Sequence, residues 1–210
     1  RDHLEVLAKL VTQGAGIGCL HYAIEPLTDK GHDELIAWIG GAFESNWSVN
    51  PIWQADFKQL PAHAVTRGVK PFSTRDEWYF NLRFRPDMKG VSPDLTAIPT
   101  DDTMTRKDGP HEGNPAVRAM VAAKQPQHVM WAAEREDGGR GFGFAGGHCH
   151  AGWKNDEQQK LVLNALLWVA KVEVPKEGVA STVTDADLAA NLDVKRPRGA
   201  PPAATPTPKL

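Results

Sequence analysis

Residues 127–169 constrain the fold more than any other stretch. Two apolar runs, QHVMWAAER and GRGFGFAGG, are joined through EDGG, a turn signal between strands. After HCHAGWK comes NDEQQKLVLNALLWVA, in which Leu161, Val162, Ala165, Leu166 and Val169 fall on one helical face. Asn155 stands at the N-cap with Gln158 three residues on, the capping-box spacing. A helix with one apolar face, following two strands, buries that face on a sheet, so the chain is expected to be α/β.

The N-terminal end points the same way. In RDHLEVLAKLVTQG, Leu4, Leu7, Leu10 and Val11 recur at helical spacing and Gly14 sits where a helix ends. GIGCLHY then reads as a strand, so the chain opens on the helix half of a strand and helix alternation, with an N-terminal portion expected to be missing. HDELIAWIGGAF reads as a helix ended by Gly40 and Gly41, and residues 100–118 as a long surface loop. Residues 1–180 are expected to form one domain, and residues 181–210, rich in Pro, Ala and Thr, an extended or disordered tail.

Composition narrows the function. In 210 residues, 41% are hydrophobic and 24% charged and the net charge is −2, which fits a soluble globular chain without the basic stripe that nucleic acid requires. No run approaches the roughly 20 apolar residues of a membrane span. Two cysteines, Cys19 and Cys149, do not make a disulfide scaffold, and both are expected to be free.

Three stretches put polar side chains where a strand gives way to a loop, the place where open α/β sheets carry their sites. In CLHYAIEP, His21 and Glu25 can meet at one strand end, although a solvent-capped histidine and a surface glutamate would read the same. In RDEWYF, Asp76 and Glu77 lie against aromatic residues, an environment that desolvates a carboxylate and suits acid or base work; a surface turn with Trp78 and Phe80 plugging the core is the alternative. In GGHCHAGW, His148 and His150 lie one residue apart, which on an extended backbone would point both the same way, just before a helix N-terminus. Such a pair can chelate a divalent metal such as zinc, with His21, His63, Glu25 or Glu77 completing the set; a structural role for one of the histidines competes with this. The metal set expected from the sequence is His148, His150 and His21.

Beyond these readings, GIGCLHYAIEP, WIGGAFESNWSVNP, HAVTRGVKPFSTRDEWYFNLRF, LTAIP, MWAAEREDGGRGFGFAGGHCHAGWKND and LVLNALLWVAKVEVPKEGV, taken in order, resemble the ThuA-like family, named for trehalose utilisation. The resemblance implies a flavodoxin-like, class I glutamine amidotransferase-like sheet flanked by helices and entered after its first strands. In amidotransferases of that superfamily a cysteine occupies a sharp turn after a strand, and a later histidine is followed at two residues by a glutamate. Here His21 stands at the cysteine position and His150 at the glutamate position, so glutamine hydrolysis is not expected. Two positions depart from the family pattern: Ala64 replaces a proline in HAVTRG, and Cys149 replaces an aromatic residue between the two histidines.

The resemblance implies a carbohydrate ligand, a glycoside or keto-sugar. The expected enzyme would use His21, His148 and His150 with Glu25, Asp76 or Glu77 as acid and base, and Trp47, Trp78, Tyr79, Trp153 and Tyr22 as a sugar-binding surface. A non-catalytic glycan-binding module is the second reading. The third is a homo-oligomer or a subunit that completes its sheet with a partner chain. The resemblance also leans towards a periplasmic or secreted location.

Overall fold

The computed structural model of the chain describes residues 2–27, 30–100, 114–190 and 192. Its centre is a four-stranded mixed sheet built from β1 (Ile17–Leu20), β6 (Val91–Ala97), β7 (Gln127–Glu134) and β8 (Arg140–Phe144), in the order β1-β8-β7-β6. β1 pairs with β8 in parallel, and β7 pairs antiparallel with both β8 and β6. The hairpin read from EDGG is the β7–β8 turn. β2 (Gly41–Ala42) pairs with β5 (Arg83–Phe84), and β3 (Ile52–Phe57) with β4 (Phe72–Glu77), as two short antiparallel ribbons beside the main sheet.

Helices cover the sheet. α2 (His32–Ile39) presses so closely that a Cβ at Gly141 would stand 2.3 Å from the Trp38 carbonyl oxygen, which is why this strand position carries no side chain. Trp131 of β7 reaches the same side and donates its indole N–H to the Ile39 carbonyl at 2.6 Å. Phe142 and Phe144 alternate to the other face, where α4 (Asp156–Val169) lies, and both are fully buried. α1 (Asp2–Thr12), α3 (Pro115–Ala122) and α5 (Asp185–Ala189) complete the helices among the described residues.

Several elements differ from the sequence reading. Residues 115–118, expected in a loop, form the first turn of α3, with Asn114 accepting from Val117 N as cap and Pro115 at a position where no N–H is needed; residues 101–113 lie outside the described residues. Asn155 does cap α4, accepting from Glu157 N and Gln158 N. The reciprocal half of the capping box is absent, because the Gln158 side chain turns inward and is fully buried. On α4 the apolar face is rotated, with Trp168 buried and Leu166 left 45% exposed. Buried Asn164 donates to the carbonyls of Val65 and Arg67 and accepts from Val179 N, tying two irregular segments to the helix.

Within the stretch 181–210, expected to be extended, Asp185–Ala189 form α5, because Thr184 and Asp187 make a full capping box. α5 packs on the 3₁₀ turn His150–Lys154. The remaining tail, Leu192 apart, lies outside the described residues. No helix among the described residues is long and apolar enough to cross a membrane. Cys19 and Cys149 are both free.

Candidate functional site

Three chain segments meet at one end of the sheet. The first is the turn after β1. Its apolar residues end at Leu20, and the next residue, His21, opens a 3₁₀ turn (His21–Ile24) with φ of 48°. A left-handed backbone at a non-glycine residue costs on the order of 1–3 kcal/mol and persists where the surroundings over-determine it. Its effect is to lift the imidazole above the strand end, as a sharp strand-to-helix elbow does.

The second segment is the end of β4, where alternation sends Asp76 and Glu77 to opposite sides. Asp76 is fully buried and accepts three backbone hydrogen bonds, from Gly147 N at 2.7 Å, Cys149 N at 2.8 Å and Glu77 N at 2.8 Å. It therefore shapes the third segment, the loop after β8 that carries His148. Glu77 points into the space between the histidines.

There three atoms converge. His21 Nε2 lies 3.1 Å from His148 Nδ1 and 3.2 Å from Glu77 Oε2, and His148 Nδ1 lies 3.0 Å from the same carboxylate oxygen. His21 Nδ1 sits 3.0 Å from the Ala145 carbonyl oxygen. A carbonyl can only accept, so Nδ1 carries a proton, and Nε2 is the ring nitrogen that faces the cluster. Tyr79 Oη is 3.2 Å from that Nε2 and also hydrogen-bonds Glu25. Asn50 Nδ2 donates to the outer oxygen of Glu77 at 3.4 Å.

Burial pushes the Glu25 carboxyl above its ordinary range, the Tyr79 hydrogen bond opposes this, and the Glu77 charge adds to it. Burial, followed by the charges of Glu77 and Glu25, drives the Tyr79 phenol well up. Tyr79 thus stays protonated and can donate. Cys19 is buried below the elbow, and burial raises its thiol to about 11, which keeps it unreactive. The Cys149 thiol is also raised, by burial and then by the Asp76 charge.

The structure sorts the expected site residues. His21, Glu77, His148, Tyr79 and Glu25 come together. His150 does not, because HCH is not a strand: His148 lies in the loop and His150 starts the following 3₁₀ turn, with Nε2 2.9 Å from the Leu188 carbonyl of α5. Glu77 thereby replaces His150 in the set that could hold a metal ion, which is His21, Glu77 and His148. His63 is held elsewhere, 3.0 Å from the buried Asp94 and against Trp168.

Of the aromatic residues, Trp78 is fully buried and packs on Phe57 and Phe144, so it belongs to the core. Trp47 stacks under the Arg83 guanidinium at 3.9 Å. Tyr79 is buried, Trp153 is half-buried beside Gly147, and Tyr22, next to His21, is 72% exposed. The sequence reading missed Asn50 and the Ala145 carbonyl. WSVNP offers only a polar residue before a proline as a signal for the first, and a backbone carbonyl leaves none.

A cavity of about 430 Å³ opens beside Arg85, Lys89 and Glu134. The Arg85 guanidinium there donates to the carbonyls of Ile36, Ala37, Lys89 and Glu134, so four of its five N–H groups clasp backbone.

An open α/β sheet with a left-handed elbow after one strand and converging histidines at its strand ends defines a protein of the kind that carries its site at the carboxyl edge of the sheet. The chain belongs to the ThuA family: the family model described as trehalose utilisation matches residues 1–169. Comparison with curated proteins and with solved structures gave no match.

Proposed function

We propose that the protein acts on a carbohydrate, a glycoside or keto-sugar, at the cluster of His21, Glu77 and His148, and that it does not hydrolyse glutamine. Membership of a family described by trehalose utilisation supports the sugar. The observation that carries the chemistry is the meeting of His21 Nε2, His148 Nδ1 and Glu77 Oε2 within 3.2 Å of one another.

A sugar hydroxyl placed over this cluster can give its proton to the Glu77 carboxylate. A proton is moved at the neighbouring atom by a group whose ordinary range has been shifted towards neutrality. Glu25, raised by burial and linked to the cluster through Tyr79, suits that second task. The exposed ring of Tyr22 and the half-buried Trp153 offer apolar faces for a pyranose ring. Against a glutaminase stand the imidazole at the elbow and a buried Cys19 whose thiol sits at about 11.

The test is incubation of the protein with a panel of disaccharides and their keto forms, followed by NMR of the sugars. Conversion is expected in the wild type, with a loss of at least about 100-fold in Glu77→Gln, the scale of one acid or base group. Unchanged sugars alongside ligand-induced thermal stabilisation would make the protein a glycan-binding module and overturn the catalytic reading.

A further inference from the structure

We infer that His21 Nε2, Glu77 Oε2 and His148 Nδ1 bind one divalent first-row transition cation. The inference deepens the sugar reading by naming the cofactor of that same site, and it rests on that cluster being the working one. Its first support is metric. The three atoms form a nearly equilateral triangle with sides of 3.1, 3.2 and 3.0 Å. Bonds of about 2.1 Å to such an ion require ligand separations between about 3.0 Å for an octahedral face and about 3.4 Å for a tetrahedral one, which would seat the ion about 1 Å above the plane of the triangle.

The second support is which atoms face the cluster. The Ala145 carbonyl engages Nδ1 of His21, so Nε2 is the ring nitrogen turned to the other two residues. Glu77 Oε2 brings further lone pairs, and the amide of Asn50 holds the other carboxylate oxygen. Tyr79 has one proton to give and Glu25 also claims it. A cation satisfies all three donors together.

The third support is the surrounding shell. A metal-binding histidine normally gives its other ring N–H to a carbonyl or carboxylate, which fixes tautomer and orientation, and His21 does so. Two imidazoles and one carboxylate are the donor set of zinc hydrolase centres and of facial-triad iron sites, both of which leave positions open for water or a substrate oxygen. His148 is half-exposed, so an ion and a sugar hydroxyl can reach the open side. When bound, the ion would supply Lewis-acid polarisation of that oxygen.

The experiment strips the protein with a chelator and titrates it with Zn²⁺ by calorimetry, then with Co²⁺ to read ligand-field absorption. One equivalent of Zn²⁺ is expected in the wild type and in His150→Asn, with affinity weakened at least about 100-fold in Glu77→Gln and in His148→Asn. The Co²⁺ spectrum should change in both of the latter. Circular dichroism of each variant establishes folding, and if the elbow variant His21→Asn does not fold, the Glu77 and His148 pair carries the test.

Absence of saturable binding in the wild type, unchanged affinity in Glu77→Gln and His148→Asn, or loss confined to His150→Asn overturns the inference. Conversion of sugar by the metal-free protein at the full rate overturns the cation's role as cofactor and leaves the sugar reading standing. Zn²⁺ bound as expected with no sugar converted supports the cation site and overturns the sugar reading.

Discussion

Asp76 illustrates how much of this site rests on one side chain that never reaches it. Its two oxygens accept from three backbone N–H groups, two of them in the loop that presents His148. Substituting asparagine keeps one acceptor and turns an N–H₂ towards donors, leaving a buried N–H without a partner. Asp76→Asn is expected to cost about 3 kcal/mol in urea unfolding, the scale for losing charge-assisted hydrogen bonds in a dry interior. The same variant should lose cluster function even where it folds, because the His148 loop is no longer held. An unfolding midpoint within error of the wild type would show that the loop is held by other means.

At the scale of elements, α4 is positioned by polar contacts at its start and middle. Asn155 accepts from two of its first N–H groups, and Asn164 gathers Val65, Arg67 and Val179 around its buried side. Asn155→Ala removes the cap and the long 3.4 Å bond from Asn155 Nδ2 to the Ser73 carbonyl, and is expected to cost about 1 kcal/mol by denaturant titration. The loss should leave the sugar and metal readouts intact, since Asn155 lies beyond the 3₁₀ turn that separates α4 from His148. α5, clasped to that turn by the bond from His150 to Leu188 and by the ion pair of Lys154 with Asp185, gives His150 a packing role.

For the whole molecule the testable quantity is stability against pH. Burial in the sheet lowers the affinity of His128 for a proton below its ordinary value of 6.5, and its Nδ1 lies 2.8 Å from Thr96 Oγ1. The unfolded chain protonates this residue near pH 6.5 while the folded protein resists until a lower pH. The contribution is therefore present above 6.5 and lost as pH falls through the folded-state value. Thermal unfolding at pH 7.5 and 5.5 should show a fall in Tm that is smaller in His128→Gln than in the wild type. Equal falls would remove His128 from the account.

Local pattern was enough for much of this protein. The strand GIGCL, the EDGG hairpin, the Asn155 cap and the α/β class are all written in short-range periodicity and turn chemistry, which depend on neighbours a few residues away. His21, Glu77 and His148 were also legible as strand-end polar residues. What local pattern could not decide was which of them meet. Whether HCH is a strand depends on the Asp76 carboxylate, more than 70 residues earlier in the chain, which bends that loop by taking its N–H groups. Whether Trp78 faces a sugar or the core depends on Phe57 and Phe144. The sequence by itself determined the elements and the chemical types available at their ends. The tertiary structure alone chose Glu77 over His150, because convergence is a property of distance in space, and only packing brings residues 21, 77 and 148 within one hydrogen bond of each other.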